Sequence, residues 1–263
     1  MKTSRRSFLK TSGICALGLY ALPFAGEVLA ESDLPKAIRN QNALTGEHWA
    51  MVVDMKKCWK QQEQKQCKEC LVACHTVHNV PQIDNVKEEI KWIWTNNYEN
   101  VFPGQENEFN IQNLEGKPFI ALCNHCTNPP CVRVCPTKAT FKRPQDGIVM
   151  MDFHRCIGCR YCMAGCPYGA RSFNFRDPRP YIKTELNMKF PTRERGVVEK
   201  CNFCAERLAD GLLPACVEAC KAGALSFGDL ADPNSVVRKL VASHFTMRRK
   251  PELGTQPNVY YIV

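Results

Sequence analysis

The sequence lacks the signatures of a site that converts a substrate. It has no glycine-rich phosphate loop, no serine–histidine–aspartate arrangement and no paired-carboxylate motif. After Ala30 it also lacks any stretch that approaches the roughly 18 apolar residues of a transmembrane helix. We therefore expect a chain that performs no bond chemistry of its own and that is soluble or peripheral to a membrane after residue 30.

Cysteine, in contrast, is abundant and clustered. The 263 residues include 17 cysteines, and repeated CxxC pairs place thiols too close together for independent disulfides. Thiolates at such density are soft ligands that select iron–sulfur clusters or zinc. Cys15 stands alone in an apolar run and Cys58 stands apart, whereas fifteen others form four groups: Cys67, Cys70 and Cys74; Cys123, Cys126, Cys131 and Cys135; Cys156, Cys159, Cys162 and Cys166; and Cys201, Cys204, Cys216 and Cys220.

The group that begins at Cys156 has the spacing of a bacterial ferredoxin. Residues 156–167 read Cys-Ile-Gly-Cys-Arg-Tyr-Cys-Met-Ala-Gly-Cys-Pro. Three thiolates on one tight loop can each reach a different iron of one [4Fe–4S] cube, and the fourth cysteine of such a run ligates the neighbouring cluster. A zinc knuckle is the alternative, although a zinc site of that kind requires two CxxC pairs and no further cysteines.

The other groups are variations on this run. The Cys123 group has two additional residues before its third cysteine, and the Cys201 group has an eleven-residue spacer between its two pairs. In the first group Cys58 lies nine positions before Cys67, six more than is usual. The largely polar residues in that interval suggest a solvated loop.

Three histidines near these groups are expected not to bind metal. His125 lies in a group that already supplies four thiols, so we expect it to neighbour a cluster and hydrogen-bond to its sulfur. For His75 and His78 we expect a polar surface or capping role, because imidazole replaces thiolate mainly in clusters of the Rieske type.

The N-terminus has the pattern of an export signal. Residues 4–10 read Ser-Arg-Arg-Ser-Phe-Leu-Lys, and the mostly apolar residues 11–26 follow. This is a twin-arginine signal, with cleavage expected after Ala30. The twin-arginine route carries folded cargo, which suits a protein whose clusters are inserted in the cytoplasm. We therefore expect residues 1–30 to be a signal peptide and the protein to be periplasmic.

Short strands are predicted around the cysteine groups. The apolar pattern indicates strands over 49–54, 90–94, 147–152, 168–175 and 258–263, and a helix over 236–243. The predicted fold class is α+β: two bacterial-type ferredoxin-like modules, each for two [4Fe–4S] clusters, packed together, rich in loops and preceded by the signal segment. The expected boundaries are 1–30 for the signal, 49–83 plus 196–230 for an outer module, 84–116 for an insertion, 117–180 for an inner module and 231–263 for a C-terminal helix and strand extension.

The charge balance is compatible with this cofactor load. The formal net charge is +9, whereas four oxidised cubes with their thiolates would contribute about −8. The basic excess therefore does not require nucleic acid as a partner. Some lysines and arginines are expected to offset the negative charge of the clusters. The alternative is that most of them lie on the surface in contact with solvent.

The motifs resemble those of a known family. Residues 123–131, 156–167 and 201–204 are similar to the four-cluster electron-transfer subunits of bacterial membrane-bound oxidoreductases. These include the iron–sulfur subunits of dimethyl sulfoxide, polysulfide and tetrathionate reductases. With the signal, residues 74–81 and 251–262 are most similar to the periplasmic ferredoxin-like subunits of Dsr-type membrane complexes, which are associated with sulfite reduction.

The resemblance implies an electron-transfer subunit that carries four [4Fe–4S] clusters. It implies docking on a quinone-interacting integral membrane subunit and, in a Dsr-type complex, a neighbouring multihaem cytochrome subunit. One alternative is the same electron-transfer role in a molybdopterin sulfur-compound reductase. The other is a structural zinc protein.

The resemblance also implies that ligands are exchanged between groups. It assigns four sets: the Cys123 set (Cys123, Cys126, Cys131 and Cys166), the Cys156 set (Cys156, Cys159, Cys162 and Cys135), the Cys201 set (Cys201, Cys204, Cys216 and Cys74) and the Cys58 set (Cys58, Cys67, Cys70 and Cys220). Sixteen cysteines follow residue 30 and four cubes need sixteen thiolates, so the count favours Cys58 as a ligand. The competing hypothesis makes Cys58 an ordinary strand-end residue, with a three-iron cluster or a non-cysteine ligand at that site.

Overall fold

A computed structural model describes residues 40–65, 67–105, 109 and 111–263. The signal segment and Cys15 lie outside these residues. Of the helices in the described part, none combines the length and the apolar character that a bilayer span requires. In chain order the strands and α-helices are β1 (Trp49–Asp54), α1 (Met55–Lys65), α2 (Glu69–Val77), β2 (Ile93–Asn97), α3 (Tyr98–Val101), α4 (Ile111–Leu114), β3 (Pro118–Leu122), α5 (Pro130–Arg133), β4 (Thr140–Lys142), β5 (Val149–Met151), α6 (Tyr161–Ala164), β6 (Ser172–Phe173), β7 (Val198–Glu199), α7 (Ala205–Ala209), α8 (Ala215–Glu218), β8 (Leu225–Asp229), α9 (Val236–Ser243), β9 (Thr246–Met247) and β10 (Val259–Ile262).

The largest sheet is organised around β1, which has the predicted bounds. Its strand order is β8-β1-β10-β9, with β1 antiparallel to β8 and parallel to β10. Alternate residues of β1 point to opposite faces. Met51 and Val53 enter the main core, whereas Ala50 and Val52 pack with Val237 of α9 on the other face. The predicted helix over 236–243 is therefore confirmed, and it covers the sheet.

Three two-stranded sheets support the ligand loops. β2 pairs with β3, β4 with β5, and β6 with β7, all antiparallel. β3 ends immediately before Cys123, β5 shortly before Cys156, and β7 shortly before Cys201. The first two loops lead directly to a short helix that contains a further cysteine of the group, Cys131 in α5 and Cys162 in α6. After the third loop, α7 comes first and α8 then contains Cys216. The chain thus has the α+β character that the sequence predicts.

The interval between Cys58 and Cys67 is largely helical, which corrects the expected solvated loop. α1 runs through it, and Cys58 lies in its first turns. The carboxylate of Asp54 accepts the backbone N–H of Lys57 at 3.1 Å, as an N-cap residue does. The lysines, glutamines and glutamate that follow are polar but are strong helix formers, so polarity alone is a poor indicator of a loop.

Two predicted strands differ from the observed ones by more than two residues at one end or both. β2 begins at Ile93 and extends to Asn97, three residues beyond the predicted end. Of the predicted strand over 168–175, only Ser172 and Phe173 are in a strand. Gly169 has a φ of +63°, a left-handed conformation that ends any extended segment at this position.

Candidate iron–sulfur centres

Three of the CxxC loops share one backbone feature. The residue before the second cysteine has a left-handed φ, which is +41° at His125, +70° at Gly158 and +55° at Phe203. Glycine adopts this conformation without steric cost, but histidine and phenylalanine do not. The loops therefore hold local backbone strain at the ligand positions, which is characteristic of functional sites.

The Cys123 set lines a single cavity. Cys123 follows β3, Cys131 lies in α5, and Cys166 follows α6. Burial, followed by the thiolate of Cys123, raises the pKa of Cys126 to about 12. The structure therefore brings the last cysteine of one ligand run to the first three of the run before it.

The Cys156 set lines a second cavity, in which Cys135 joins Cys156, Cys159 and Cys162. Burial opposes the charged form of Cys135, but hydrogen bonds outweigh it and lower its pKa. The main donor is the backbone N–H of Thr140, 3.5 Å from the sulfur. These hydrogen bonds favour the thiolate of Cys135, the form that binds metal.

The remaining two sets combine distant parts of the sequence. Burial and then the thiolates of the three other members, Cys201 first, raise the pKa of Cys74 well above its usual value. Burial and then the thiolates of Cys58, Cys220 and Cys67 raise the pKa of Cys70 to about 12. Helix α2 packs against α8, which places the first cysteine group beside the fourth.

Neighbouring sets also influence one another, and they do so in one order. Helix α5, which contains Cys131, packs against α6, which contains Cys162, and this contact joins the Cys156 set to the Cys123 set. Burial and then the thiolate of Cys123 raise the pKa of Cys201. The thiolate of Cys70 adds to the rise in the pKa of Cys74 that burial and the Cys201 set cause. The order is therefore Cys156 set, Cys123 set, Cys201 set and Cys58 set.

Exposure follows the same order. The Cys156 and Cys58 sets, at the two ends, each contain three half-buried cysteines. The two central sets contain one between them, Cys166, and their other cysteines are buried. Both ends of the series are thus close to solvent, and its middle is enclosed.

The sixteen described cysteines fit a metal cofactor. All are free thiols. Burial and then repulsion between neighbouring thiolates raise the pKa values of cysteines such as Cys58, Cys74 and Cys216. Four adjacent thiolates are therefore unfavourable without a cation. Coordination to a metal deprotonates thiols outright and removes this penalty.

Two buried cations near the sets were not singled out by the sequence. Arg171 donates from Nη2 to the sulfur of Cys131 at 3.0 Å, and Lys200 donates to the carbonyl oxygen of Cys201 at 2.7 Å. Burial opposes the charge of both. The thiolates, Cys131 first, outweigh burial and raise the pKa of Arg171, whereas the pKa of Lys200 is lowered. The expected offsetting of cluster charge thus has two specific candidates.

His78 is buried, which corrects the expected surface position. Its Nε2 lies 2.7 Å from a carboxylate oxygen of Glu206, and its ring stacks on Trp92 with centroids 4.4 Å apart. Its Nδ1 lies 2.9 Å from the carbonyl oxygen of Cys74 at the end of α2, so the capping part of the expectation agrees with the structure. The partners come from distant sequence positions, which no local pattern indicates.

His125 joins two CxxC loops. Its ring stacks on that of Phe203 with centroids 3.7 Å apart, and its Nδ1 accepts the backbone N–H of Val149 at 3.1 Å. Burial and then the charge of Lys200 lower its pKa well below the usual value, so the ring is neutral. The stack packs the Cys123 loop directly against the Cys201 loop.

The comparisons with known proteins agree with this arrangement. The model of the 4Fe-4S dicluster domain matches residues 116–179 and 177–230. The first iron–sulfur subunit of the Hdr-like menaquinol oxidoreductase of Archaeoglobus fulgidus is 40% identical over 98% of this chain and 97% of its own length. The chain belongs to the family of four-cluster iron–sulfur electron-transfer subunits.

Further relatives extend the family to other complexes. A tetrathionate reductase subunit of Salmonella typhimurium is 34% identical over 100% of this chain and 89% of its own length. The iron–sulfur cluster-binding subunit of menaquinone reductase from Nitratidesulfovibrio vulgaris is 38% identical over 81% of this chain and 88% of its own length. Two dicluster domains correspond to four [4Fe–4S] clusters, so the expected cofactor is confirmed and the zinc alternative is set aside.

Proposed function

We propose that this protein relays electrons between a quinone-interacting integral membrane subunit and other redox subunits of a respiratory complex, on the periplasmic side of the membrane. The observation that carries the proposal is the series of four cysteine sets whose two ends are half-exposed and whose middle is buried. The clusters, when bound, supply one-electron transfer. The chain itself supplies the spacing of the clusters, their enclosure and two points of access, and we assign it electron transfer without a substrate-converting site of its own.

The sixteen cysteines of the four sets are the proposed ligands. Support comes from the cavities that enclose the Cys123 and Cys156 sets, and from the mutual effects on pKa within the Cys201 and Cys58 sets. In each set, the fourth cysteine comes from a different group in the sequence. Ligand exchange of this kind ties the first cysteine group to the fourth and couples cofactor binding to folding.

Cys58 is proposed as a true ligand despite its distance from Cys67. Burial and then the thiolates of Cys220 and Cys67 raise the pKa of Cys58 to about 12. Helix α1 carries the chain away from Cys58, and the chain returns to Cys67 before α2. The additional residues therefore lie between two ligands of one site, and lengthening such a closed segment costs only about 0.6 kcal/mol per doubling.

The end of the series at the Cys156 set has the character of a docking surface. Ile157 and Tyr161 are 67% and 62% exposed, and Arg160 lies over the rings of Phe173 and Phe175. Aromatic residues and arginine are enriched at protein interfaces. We assign this apolar face to the integral membrane subunit.

The opposite end is more polar. Near the Cys58 set, Lys221 forms an ion pair with Glu69 at 2.9 Å, and Lys68 is exposed. This composition suits a water-soluble redox subunit, such as a multihaem cytochrome subunit. The two ends thus differ in the chemistry of the partner that each would accept.

A Dsr-type complex of sulfur metabolism is the proposed setting. The twin-arginine pattern and residues 74–81 and 251–262 support this setting. The similarity to a subunit of a menaquinol oxidoreductase from Archaeoglobus supports the link to a quinone. The second candidate is the same relay in a molybdopterin sulfur-compound reductase, which the name of the Salmonella relative, a tetrathionate reductase subunit, favours.

Affinity purification of the tagged protein from native membranes tests both settings. A quinone-interacting membrane subunit with a multihaem cytochrome is the expected result, and a molybdopterin subunit in its place would select the second candidate. Ile157→Asp should release the membrane subunit, whereas Val72→Asp, at an exposed position of α2, should retain it. Recovery of the membrane subunit with both variants would contradict the assigned docking face.

A further inference from the structure

The cavity of the Cys123 set contains polar groups that thiolate ligation does not explain. Asn124 and Arg171 line this cavity together with the four cysteines. Both side chains are buried, with 1% and 5% exposure. Polar groups at such depth are costly unless they have partners, so each requires a reason for its position.

Arg171 is a fixed positive charge directed at a ligand. Its Nη2 donates to the sulfur of Cys131 at 3.0 Å, and its Nη1 donates to the hydroxyl of Thr140 at 2.9 Å. A guanidinium stays protonated in proteins, so Arg171 carries a positive charge. Because the group is planar, the two hydrogen bonds fix its orientation. The thiolates of Cys131, Cys162 and Cys123 are its leading electrostatic partners.

Asn124 has a free donor in the same cavity. Among the described residues, neither its Nδ2 nor its Oδ1 has a hydrogen-bond partner. Asn202 occupies the corresponding position of the Cys201 loop, and both of its polar atoms are engaged: Nδ2 donates to Glu206 and Oδ1 accepts the N–H of Cys204, both at 2.8 Å. The unpaired amide is thus a property of the Cys123 loop, and sulfur of a bound cluster is the acceptor that its N–H group lacks.

The neighbouring sets have a different electrostatic environment. Arg171 donates to a ligand sulfur of the Cys123 set, whereas the side chain of Lys200 donates to backbone carbonyl oxygens, including that of Cys201. In the Cys201 loop, Asn202, which corresponds to Asn124, donates to the carboxylate of Glu206. A carboxylate thus lies beside the Cys201 loop, whereas a guanidinium contacts a ligand sulfur of the Cys123 set.

We propose that Arg171 and Asn124 set the reduction potential of the Cys123 set's cluster and make it the first of the four to be reduced. Reduction adds negative charge, which a buried cation and a hydrogen bond to sulfur both stabilise. The effect is strong because water is excluded from this part of the protein. The inference rests on the proposed relay function, because it assumes that four clusters are bound in these sets.

The test is an EPR-monitored redox titration of the purified holoprotein. Cys126→Ser identifies the signal that belongs to the Cys123 set, and this signal should appear first in the wild-type titration. Arg171→Gln should lower the equilibrium constant for its reduction by at least tenfold, which is about 59 mV for a one-electron couple. The signal of the Cys156 set should shift by less, and iron should remain at about sixteen atoms per chain.

Two further variants keep the test decisive. Asn124→Leu removes the donor at similar size and should lower the midpoint of the same signal, even if Arg171→Gln fails to fold. Arg133→Gln is the control, because this arginine lies in α5 near the Cys123 set but is exposed, so solvent screens its charge. Four bound clusters with an unshifted first signal in Asn124→Leu and Arg171→Gln would overturn the inference, whereas fewer than four clusters in the wild type would instead overturn the relay.

Discussion

Replacing Gly158 with alanine should disturb the Cys156 set far more than an equivalent change nearby. Gly158 has a φ of +70°, and a Cβ atom there would lie 2.4 Å from the carbonyl oxygen of Gly196 and 3.2 Å from the ring of Phe173. Gly169 provides a matched control. Its φ is +63°, but nothing lies within 4 Å of the corresponding Cβ position.

The expected magnitudes follow from these two environments. A left-handed alanine costs about 1–2 kcal/mol, and both variants share this cost. Gly158→Ala adds overpacking against a backbone oxygen, which costs a further 1–3 kcal/mol or so. The backbone of Gly158 or of Gly196 must therefore move, and Gly158 lies within the loop that presents Cys156 and Cys159.

Anaerobic urea unfolding, followed by the cluster absorbance near about 400 nm, measures the difference. We expect the urea midpoint to be highest for the wild type, lower for Gly169→Ala and lowest for Gly158→Ala. We also expect Gly158→Ala to lose about four of its roughly sixteen iron atoms, one cube's share. Equal midpoints for the two variants would refute the argument from close approach, and an unchanged Gly158→Ala protein would refute the local geometry itself.

Three further outcomes are expected. Replacing both Arg5 and Arg6 with lysine should leave cluster-containing precursor in the cytoplasm, as cell fractionation would show. Normal export of this variant would contradict the signal assignment. Cys58→Ser should lower the iron content or convert one cube to a three-iron cluster in EPR spectra, whereas four unchanged cubes would mean that Cys58 is not a ligand. Arg193→Met should cost about 3–5 kcal/mol of unfolding free energy, because it removes the cation that lies 2.7 Å from the fully buried carboxylate of Glu199. Adding Glu199→Gln should restore part of that loss, and no restoration would indicate that packing, rather than charge, dominates.

The parts of the fold that sequence predicts best are those with a strong local signal. β1 has an uninterrupted apolar run and lies at its predicted bounds, because it is paired on both edges and covered on both faces. The helix over 236–243 has an apolar stripe that covers the sheet, and it also lies where the sequence predicts it. The cysteine spacing likewise carries the cofactor prediction, since ligand geometry constrains spacing directly.

The features that sequence misses depend on contacts between distant residues or on a misleading local signal. The polarity of α1 suggests solvent and its place in the ligand run suggests an insertion, although its residues favour a helix. His78 is buried because Trp92 and Glu206 enclose it from other parts of the chain. Arg171 looks like an ordinary basic residue in the sequence, and only the fold shows that it contacts the sulfur of Cys131.

The position of β1 has a consequence for how fast the chain can fold. Neither of its neighbours in the sheet is local: β8 and β10 lie far along the sequence, and the contact between His48 and Asn258 beside them spans 210 positions. Loop-closure entropy opposes folding until such contacts form, which slows the process. Until then β1 is an apolar segment, Trp-Ala-Met-Val-Val, with both edges unpaired, and such segments drive aggregation. Overproduction that outpaces iron supply should therefore yield inclusion bodies, and slower synthesis should yield more soluble holoprotein.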